Sequence, residues 1–378
     1  MDDPDIHSEQ KSLPPLPVAP LPVLGAVAGA EEAPGGATFC QDTTSGHGDS
    51  SGSTTQHSTS PVNGRSILTG TQESGRSTLI HSRDEAMAAV SGLGVLDVGG
   101  THATAAHIDS RTWRIEGTPQ RADIDAHAAA DAILDAIAAP ARGTQEPMWA
   151  IAMPDPFDYD HGIGRFHDVG KFESLDGVDM RAGLAERLDA DPRDLHFCND
   201  ADAFTVGEWV AGAGRGADRV MGLTLGTGVG SGWVDGGRVI DPGVPKGGRA
   251  HQLQVNGAPL EESMSRRAIR RAYAKATGDR VADVREIAEH ARAAEPGAVE
   301  VLAHAVQSLG RALAGPIRDF GAEVIVVGGS MSASWGLFEP WFREGAGEVG
   351  VPPVRIATDP DAAPLIGAAY VAVTTTSR

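Results

Sequence analysis

The chain has little cysteine and little positive charge for its 378 residues, and both shortages exclude classes of function. Two cysteines, Cys40 and Cys198, are too few for a disulfide framework or a cysteine-rich zinc site, so a cytoplasmic location is the default expectation. With 31 Lys and Arg against 51 Asp and Glu, the formal net charge is −20 at pH 7. That charge disfavours nucleic acid or an anionic membrane as a partner. An anionic ligand would need local help from backbone N–H groups or a metal ion.

Two common nucleotide-binding motifs are also missing. The chain contains no Gly-x-x-x-x-Gly-Lys-Ser/Thr, and residues 226–232 do not fit Gly-x-Gly-x-x-Gly. P-loop and Rossmann folds are therefore excluded.

Residues 1–90 are rich in Pro, Ser, Thr and Gly and show no sustained periodicity. Such a segment cannot bury enough apolar surface to offset its ordering entropy, so we predict a disordered tail. Its apolar stretch, residues 13–30, follows an acidic start and is interrupted by prolines, which argues against a signal peptide. The remainder is long enough for two α/β lobes, predicted over residues 91–198 and 199–378, with the last helix able to pack back on the first lobe.

Residues 94–109 have the pattern of a strand, a glycine turn and a second strand. Gly99 and Gly100 let backbone N–H groups approach a bound group closely. Asp97, at the strand end, is placed to hold Mg²⁺ through its water shell, and Thr101 to donate to a phosphate. Taken alone, the pattern is equally typical of an ordinary hairpin with a solvated Asp.

A second hairpin of the same kind is predicted over residues 221–235, with Gly226, Thr227 and Gly228 in its turn. Two such hairpins, each opening an α/β lobe, predict two lobes that close on a polyphosphate from opposite sides. A third glycine turn follows the apolar run 323–327 and contains Gly328, Gly329 and Ser330. It suits the adenosine and ribose end of a nucleotide, although on its own an ordinary tight strand-to-helix turn is the favoured explanation.

Hydrophobic spacing predicts helices over residues 124–139, 180–189, 262–276, 284–293, 299–320 and 363–373. The long loop over residues 157–172 is interpreted as one wall of a substrate cleft, because loops of this length in a compact lobe are usually functional or mobile. For any single residue in it, a surface loop that packs its own aromatic side chains is an equal alternative.

Asn199 and Asp200 follow a predicted strand, residues 195–198, and precede a helix. Polar residues at the carboxyl end of a sheet strand lie where α/β folds bind ligands. A carboxylate there, near a phosphate cradle, is suited to be the general base for a hydroxyl that attacks a γ-phosphoryl group. Asn199 could hold an adjacent hydroxyl. On spacing alone, a helix N-cap explains the pair at least as well.

Three motifs occur in order along residues 93 to about 373: Leu-Asp-Val-Gly-Gly-Thr at 96–101, Asn-Asp-Ala at 199–201 followed by Gly-Glu at 207–208, and Leu-Gly-Thr-Gly-Val-Gly at 225–230. Together they resemble the ROK family of sugar kinases, repressors and related proteins. The resemblance implies a duplicated ribonuclease H-like (actin/hexokinase-like) α/β fold with the nucleotide between two lobes. It implies that both glycine hairpins hold the phosphates and that Asp200 takes the proton from the sugar hydroxyl.

Kinases of this family carry Gly-Glu-Ile-Gly-His after the second hairpin, whose Glu and His contact sugar hydroxyls. In the best-matching stretch, residues 248–254, His251 takes the place of the Glu and Gln254 that of the His. Neutral His offers one donor and one acceptor whereas Glu only accepts, so the hydroxyl pattern should differ from that of glucose or N-acetylmannosamine.

Many members also carry a zinc-binding cysteine run, which residues 256–261 replace with a stretch that contains no cysteine. We therefore expect no zinc. Glu261 remains a candidate sugar contact, with charge complementing a helix N-terminus as the alternative.

The combined prediction is an ATP- and Mg²⁺-dependent kinase that phosphorylates a hydroxyl of a hexose or a hexose-like polyol, with lobe closure excluding water. The alternatives are a C7-cyclitol kinase of a natural-product pathway and a non-catalytic sugar-sensing regulator of the same fold. A DNA-binding regulator needs a helix-turn-helix ahead of the first hairpin, and residues 1–90 show no such periodicity. Polyphosphate as donor stays open, and a homodimer is compatible with the sequence.

Overall fold

The computed structural model describes residues 91–241, 249–347 and 350–376, so the predicted disordered tail lies outside the described residues. The described strands are β1 Gly92–Val98, β2 His102–Asp109, β3 Arg114–Asp123, β4 Trp149–Met153, β5 Phe157–Asp158, β6 Ile163–Gly164, β7 Leu195–Asn199, β8 Arg219–Leu225, β9 Val229–Asp235, β10 Arg238–Val239, β11 Gln254–Val255, β12 Ala258–Pro259, β13 Val324–Gly328 and β14 Val354–Ile356. The described α-helices are α1 Ala130–Ala138, α2 Met180–Leu188, α3 Asp200–Ala211, α4 Glu261–Met264, α5 Arg266–Thr277, α6 Val284–Arg292, α7 Pro296–Phe320, α8 Trp335–Ala346 and α9 Ala362–Thr376.

The first five-stranded sheet has the order β3-β2-β1-β4-β7. Strands β1, β2 and β3 form an antiparallel meander, whereas β4 pairs with both β1 and β7 in parallel. The sequence of β4, Trp-Ala-Ile-Ala-Met, is apolar throughout and buried at every position, as expected for a central strand that is covered on both faces.

The second five-stranded sheet has the order β10-β9-β8-β13-β14 and repeats this plan. Three strands are antiparallel, and then β13 pairs in parallel with both β8 and β14. Two sheets with the same order and the same strand directions show an internal duplication. The predicted duplicated ribonuclease H-like, actin/hexokinase-like α/β fold is therefore confirmed. The limits predicted for its two lobes, residues 91–198 and 199–378, stay a prediction.

Helices α3 and α9 pack against each other through small residues. A Cβ atom on Gly207 of α3 would collide with the carbonyl oxygen of Ala363, and one on Gly367 of α9 would collide with that of Ala203. Helix α9 also packs on the first sheet, where its residues Leu365, Ala368 and Ala369 share a buried cluster with residues of β1 and β4. These contacts place the N-terminus of α3 rigidly at the edge of the first sheet.

Two helix predictions needed correction. The helix predicted from residue 124 begins only at Ala130. The Ile124 N–H still donates to the carbonyl of Thr101, which extends the pairing of β2 with β3, and a turn follows in which the Ala128 N–H donates to the carbonyl of Asp125. The helix predicted over residues 262–276 is divided at Ser265, whose hydroxyl accepts from the Ala268 N–H and caps α5. A serine that bonds its own backbone competes with continuation of a helix. None of the described helices is long and apolar enough to cross a membrane.

Candidate active site

The carboxyl ends of β1, β4 and β7 meet at one edge of the first sheet, because these neighbouring strands are parallel. Asp97 lies one residue before the end of β1, Asp155 follows β4, and Asp200 follows β7 as the first residue of α3. The fold therefore gathers three carboxylates that are distant in sequence, at the edge where α/β sheets bind ligands.

Asn199 is the residue that caps helix α3. Its Oδ1 accepts from the Ala201 N–H at 3.0 Å and the Asp202 N–H at 3.1 Å. Asp200 accepts only from the Ala201 N–H, at 2.8 Å, among the contacts of the described residues. Capping therefore leaves most of the lone pairs of Asp200 available for another partner.

The half-buried Asp200 carboxyl has a pKa raised from 3.8 to about 6, first because burial disfavours its charged form. The positive charge of Lys171, the Ala201 N–H bond and the charge of Arg249 oppose this rise, whereas Asp155 adds to it. A carboxyl group with this pKa is ionised at pH 7 yet basic enough to take up a proton, as a general base must.

Asp97 is the carboxylate most affected by its surroundings. Burial, and then the charges of Asp200 and Asp361, raise its pKa from 3.8 to about 7. No hydrogen bond or ion pair to Asp97 occurs within the described ranges, so its charge lacks compensation. A hard divalent cation would supply it, and Mg²⁺ commonly uses one carboxylate, several waters and phosphate oxygens. The described residues contain no group of three or more metal-binding side chains, so Mg²⁺ held here would keep most of its water.

The first glycine turn closes with the Gly99 N–H donating to the carbonyl of His102 at 2.9 Å. Gly100 and Thr101 lie at its tip, where Thr101 is exposed and its hydroxyl contacts His102 Nδ1 at 3.1 Å. In the part of the chain that is described, this tip carries no bulky side chain over Gly100, whose nearest neighbour is the stem of Lys171. The predicted Gly-Gly hairpin thus exists with an open tip.

The second and third glycine turns pack directly against each other. The second turn closes with the Gly226 N–H donating to the carbonyl of Gly228 at 3.0 Å, and Thr227 is exposed at its tip. In the third turn, Gly329 has a φ of +80°, and a Cβ atom there would collide with the backbone of Leu225. The Ser330 hydroxyl lies 3.4 Å from the place that a Cβ atom would occupy if Gly226 carried a side chain.

This packing extends the third turn to Gly328, the last residue of β13, where a Cβ atom would clash with the ring of Phe204. The two sequence-predicted turns of the second sheet therefore form one continuous glycine-lined surface.

Glu261 and His251 lie near the second hairpin. Glu261 begins α4, and its Oε1 is 2.8 Å from the Cβ position of Gly228. The half-buried His251 has a pKa lowered by burial, which the charge of Glu261 partly opposes. Gln254 is exposed on β11, its amide donates to the Gln252 carbonyl at 3.3 Å, and no described contact joins it to Asp200.

Arg249 is a site residue that the sequence analysis missed. Its Nε lies 2.7 Å from an oxygen of Asp155, and its Nη1 donates to Asp202 and to Asn199 Oδ1, each at 3.1 Å. The side chain is only 19% exposed, so these ion pairs are shielded from water. The signal was present in the sequence: if the family's Gly-Glu-Ile-Gly-His begins at Gly248, Arg249 stands where the Glu stands.

Asp155 extends this network to the wall loop. The Tyr159 hydroxyl donates to Asp155 at 2.9 Å, and the Asn199 amide donates to Asp155 at 3.2 Å and to the Tyr159 oxygen at 3.1 Å. Arg249 therefore ties the loop after β4 to the start of α3, directly beside the candidate base.

A duplicated sheet fold with two glycine hairpins beside a carboxylate at the strand ends defines an actin/hexokinase-like protein. The ROK family matches residues 93–375, so the chain belongs to the ROK family, and the resemblance predicted from the three motifs is confirmed.

Individual relatives agree with this assignment. The chain is 32% identical over 213 residues to a glucokinase of Thermotoga maritima, a stretch that covers 50% of this chain and 66% of that relative. The ROK hexokinase of Thermus thermophilus superposes with a TM-score of 0.63 at 25% identity, covering 75% of this chain and 99% of the other.

A further likeness in fold is to a ROK family glucokinase of Streptomyces griseus in complex with glucose and AMPPNP. It has a TM-score of 0.59 at 24% identity and covers 75% of this chain and 98% of the other.

Proposed function

We propose that this protein transfers the γ-phosphoryl group of ATP to a hydroxyl of a hexose or a hexose-like polyol. The observation that carries this proposal is the placement of Asp200. The charge of its carboxyl raises the pKa of Asp97, which lies near the end of the first strand of the first hairpin. The next residue, Ala201, packs against the second hairpin: its Cβ is 3.0 Å from the place that a Cβ atom would occupy at Gly230. A base with a near-neutral pKa is thus adjacent to two turns suited to phosphate.

In the proposed reaction, Asp200 accepts the proton of the acceptor hydroxyl as its oxygen attacks the γ-phosphorus, and ADP leaves. Backbone N–H groups of Gly100 and Gly228, with the hydroxyls of Thr101 and Thr227, would hold the phosphates. Gly99 and Gly226, whose N–H groups close the two turns, would let the phosphates approach the backbone closely. The turn that contains Gly328, Gly329 and Ser330 would take the adenosine end. Mg²⁺ held through water by Asp97 would neutralise phosphate charge when bound.

The acceptor side of the proposed site comprises Asn199, Asp200, His251 and Glu261, to which the structure adds Arg249. We retain Gln254 as a weaker candidate, because its side chain is exposed on β11. Arg249 can only donate hydrogen bonds, whereas a Glu at that position could only accept them. This difference favours an acceptor whose hydroxyl pattern differs from that of glucose, and it keeps a C7-cyclitol as the second candidate.

The test is a coupled ADP-release screen of sugars, amino sugars and cyclitols, run with ATP and separately with polyphosphate as donor. We expect one acceptor class to turn over with ATP, and we expect Asp200→Asn to lower kcat by about three orders of magnitude or more while ATP still binds. Near-normal turnover of Asp200→Asn would remove Asp200 from the mechanism. Acceptor binding without any ADP release would favour the sugar-sensing regulator.

A further inference from the structure

Lys171 lies in the wall loop at a point where the backbone is firmly held. The adjacent Phe172 is fully buried, its ring centroid is 5.5 Å from that of Phe166, and its N–H donates to the carbonyl of Ala126 at 2.8 Å. On the other side, the Gly170 N–H donates to Glu173 at 3.1 Å. The origin of the Lys171 side chain is therefore fixed by packing and hydrogen bonds.

The side chain of Lys171 lies beside the first glycine hairpin, and its charge acts on the candidate base. Its Cδ lies 4.0 Å from the place that a Cβ atom would occupy at Gly100, so the aliphatic stem lies beside the turn and leaves its tip open. Its charge is the largest influence that favours the ionised form of Asp200, and it also acts on His251. A γ-phosphoryl group must lie between the phosphate-binding turn and the base, because the acceptor oxygen held by the base attacks it in line. Lys171, with its stem beside that turn and its charge acting on that base, is the described lysine associated with both.

Among the described residues, Lys171 has no carboxylate partner, in contrast to Arg249. Arg249 is engaged by Asp155 and Asp202, whereas Lys171 makes no hydrogen bond or ion pair within residues 91–241, 249–347 and 350–376. Lysine is rare in this chain, with four residues at positions 11, 171, 246 and 275, so a lysine at this particular position is not expected from its abundance alone. An uncompensated ammonium beside a phosphate turn is suited to bind phosphoryl oxygens as a point charge.

We propose that Lys171 is a catalytic residue that donates to the γ-phosphoryl oxygens of ATP and stabilises them during transfer; this rests on the proposed kinase function. As the bond between the acceptor oxygen and the γ-phosphorus forms, the bond to the β,γ-bridging oxygen breaks and ADP leaves with the electron pair. The acceptor proton moves to Asp200, and Lys171 keeps its own proton throughout. Removing one preorganised donor of this kind typically lowers kcat by about 100- to 1,000-fold.

The kinetic test compares Lys171→Met, Lys171→Arg and the control Lys275→Met, in which an exposed lysine of α5 is changed in the same way. We expect Lys171→Met to lower kcat by about 100-fold or more, with the acceptor KM changed by less than about threefold, since the lost contact is to the phosphoryl group. Lys171→Arg should recover part of kcat because it keeps the charge. Lys275→Met should match the unaltered protein. A Lys171→Met enzyme with kcat within about threefold of the control would overturn the proposal.

A binding test makes the proposal independent of the acceptor. Isothermal titration of AMPPNP and ADP, both with Mg²⁺, should show that Lys171→Met weakens AMPPNP about tenfold more than ADP, because only AMPPNP carries a γ-phosphoryl group. Equal weakening of both nucleotides, or none, would contradict the role of Lys171. If the unaltered protein released no ADP with any acceptor, the proposed function would fail, whereas the ratio of the two affinities would still test Lys171.

Discussion

Replacing Asp200 by Asn should abolish activity and at the same time stabilise the folded protein near neutral pH. Burial raises the pKa of Asp200 from 3.8 to about 6, so the folded protein binds this proton more tightly than the unfolded chain does. Ionisation of Asp200 therefore destabilises the fold. The cost appears as the pH rises from about 4 to 6, is complete above about pH 6, and vanishes in acid.

The expected gain follows from the size of this shift. About two pKa units at 1.36 kcal/mol each correspond to about 3 kcal/mol above pH 6. Asp200 is only half-buried, so solvent screens part of this cost. Asn also loses the favourable interaction of a negative charge with the N-terminus of α3, worth about 0.3–1 kcal/mol. We therefore expect Asp200→Asn to raise the free energy of unfolding by about 1–2 kcal/mol at pH 8 and by less than half of that at pH 4.5.

Urea denaturation of both proteins at pH 8 and pH 4.5 measures this difference. The matched control is Asp158→Asn, because a hydrogen bond from His161 and further contacts lower the pKa of Asp158 to about 2. The ionised form of Asp158 stabilises the fold above about pH 4, so its removal should lower stability at pH 8. The reasoning would be refuted if Asp200→Asn were no more stable than the unaltered protein at pH 8, or if its gain were the same at both pH values.

Three further predictions follow from the same site and from the helices behind it. The kcat/KM of the unaltered protein should fall below about pH 6 as Asp200 becomes protonated, and a profile that is flat down to pH 5 would exclude it as the base. Arg249→Met should lower kcat/KM at least tenfold, and in urea titrations it should lower the free energy of unfolding by about 2 kcal/mol, because it leaves two shielded carboxylates without an ion-pair partner. Arg249→Lys should recover part of the kcat/KM and part of the stability. Gly367→Ala should lower the free energy of unfolding by about 3 kcal/mol or more, because the new methyl group would collide with the Ala203 backbone. The control Gly336→Ala, at a position of α8 with open space around it, should be neutral or stabilising by up to about 1 kcal/mol. Equal effects of the two substitutions would show that α3 and α9 are not in close contact.

The sequence predicted those parts of the structure that depend on short-range patterns. The strand, glycine turn and second strand at Gly99 and at Gly226 were found where apolar runs meet glycines, because a tight turn of this kind is specified by a few adjacent residues. Short-range patterns were less reliable where a polar side chain redirected the backbone. At Ser265, hydrophobic spacing continues through the residue, and only its hydroxyl bond to Ala268 divides the predicted helix.

The acceptor side of the site could not be predicted in the same way. Arg249 is meaningful only beside Asp155 and Asp202, and these residues come together because β4 and β7 are parallel neighbours and the chain returns to them after β10. Matching the family pattern two positions away directed attention to His251 and Gln254 instead. The glycine of the motif matches Gly248 in one register and falls on Ala250 in the other, but this single match does not reveal that Arg249 would lie beside two carboxylates. The ion pairs of Arg249 make the distinction, and they depend on the fold.

The same ion pairs bear on how a chain with a net charge of −20 could bind a polyanion. Repulsion between exposed charges is screened within about 10 Å in 0.1 M salt, so contacts close to a bound phosphate outweigh the global charge. Among the described residues of the candidate site, Arg249 is neutralised by two carboxylates, and Asp97 and Asp200 lie without an ion-pair partner near the first hairpin. Favourable binding of phosphate would then depend on backbone N–H groups, on a divalent cation that offsets Asp97, and on Lys171. Because Lys171 lies beside Gly100 while the carboxylates lie at the strand ends, the charge that would bind phosphate and the charge that would remove a proton are carried by different elements of the fold.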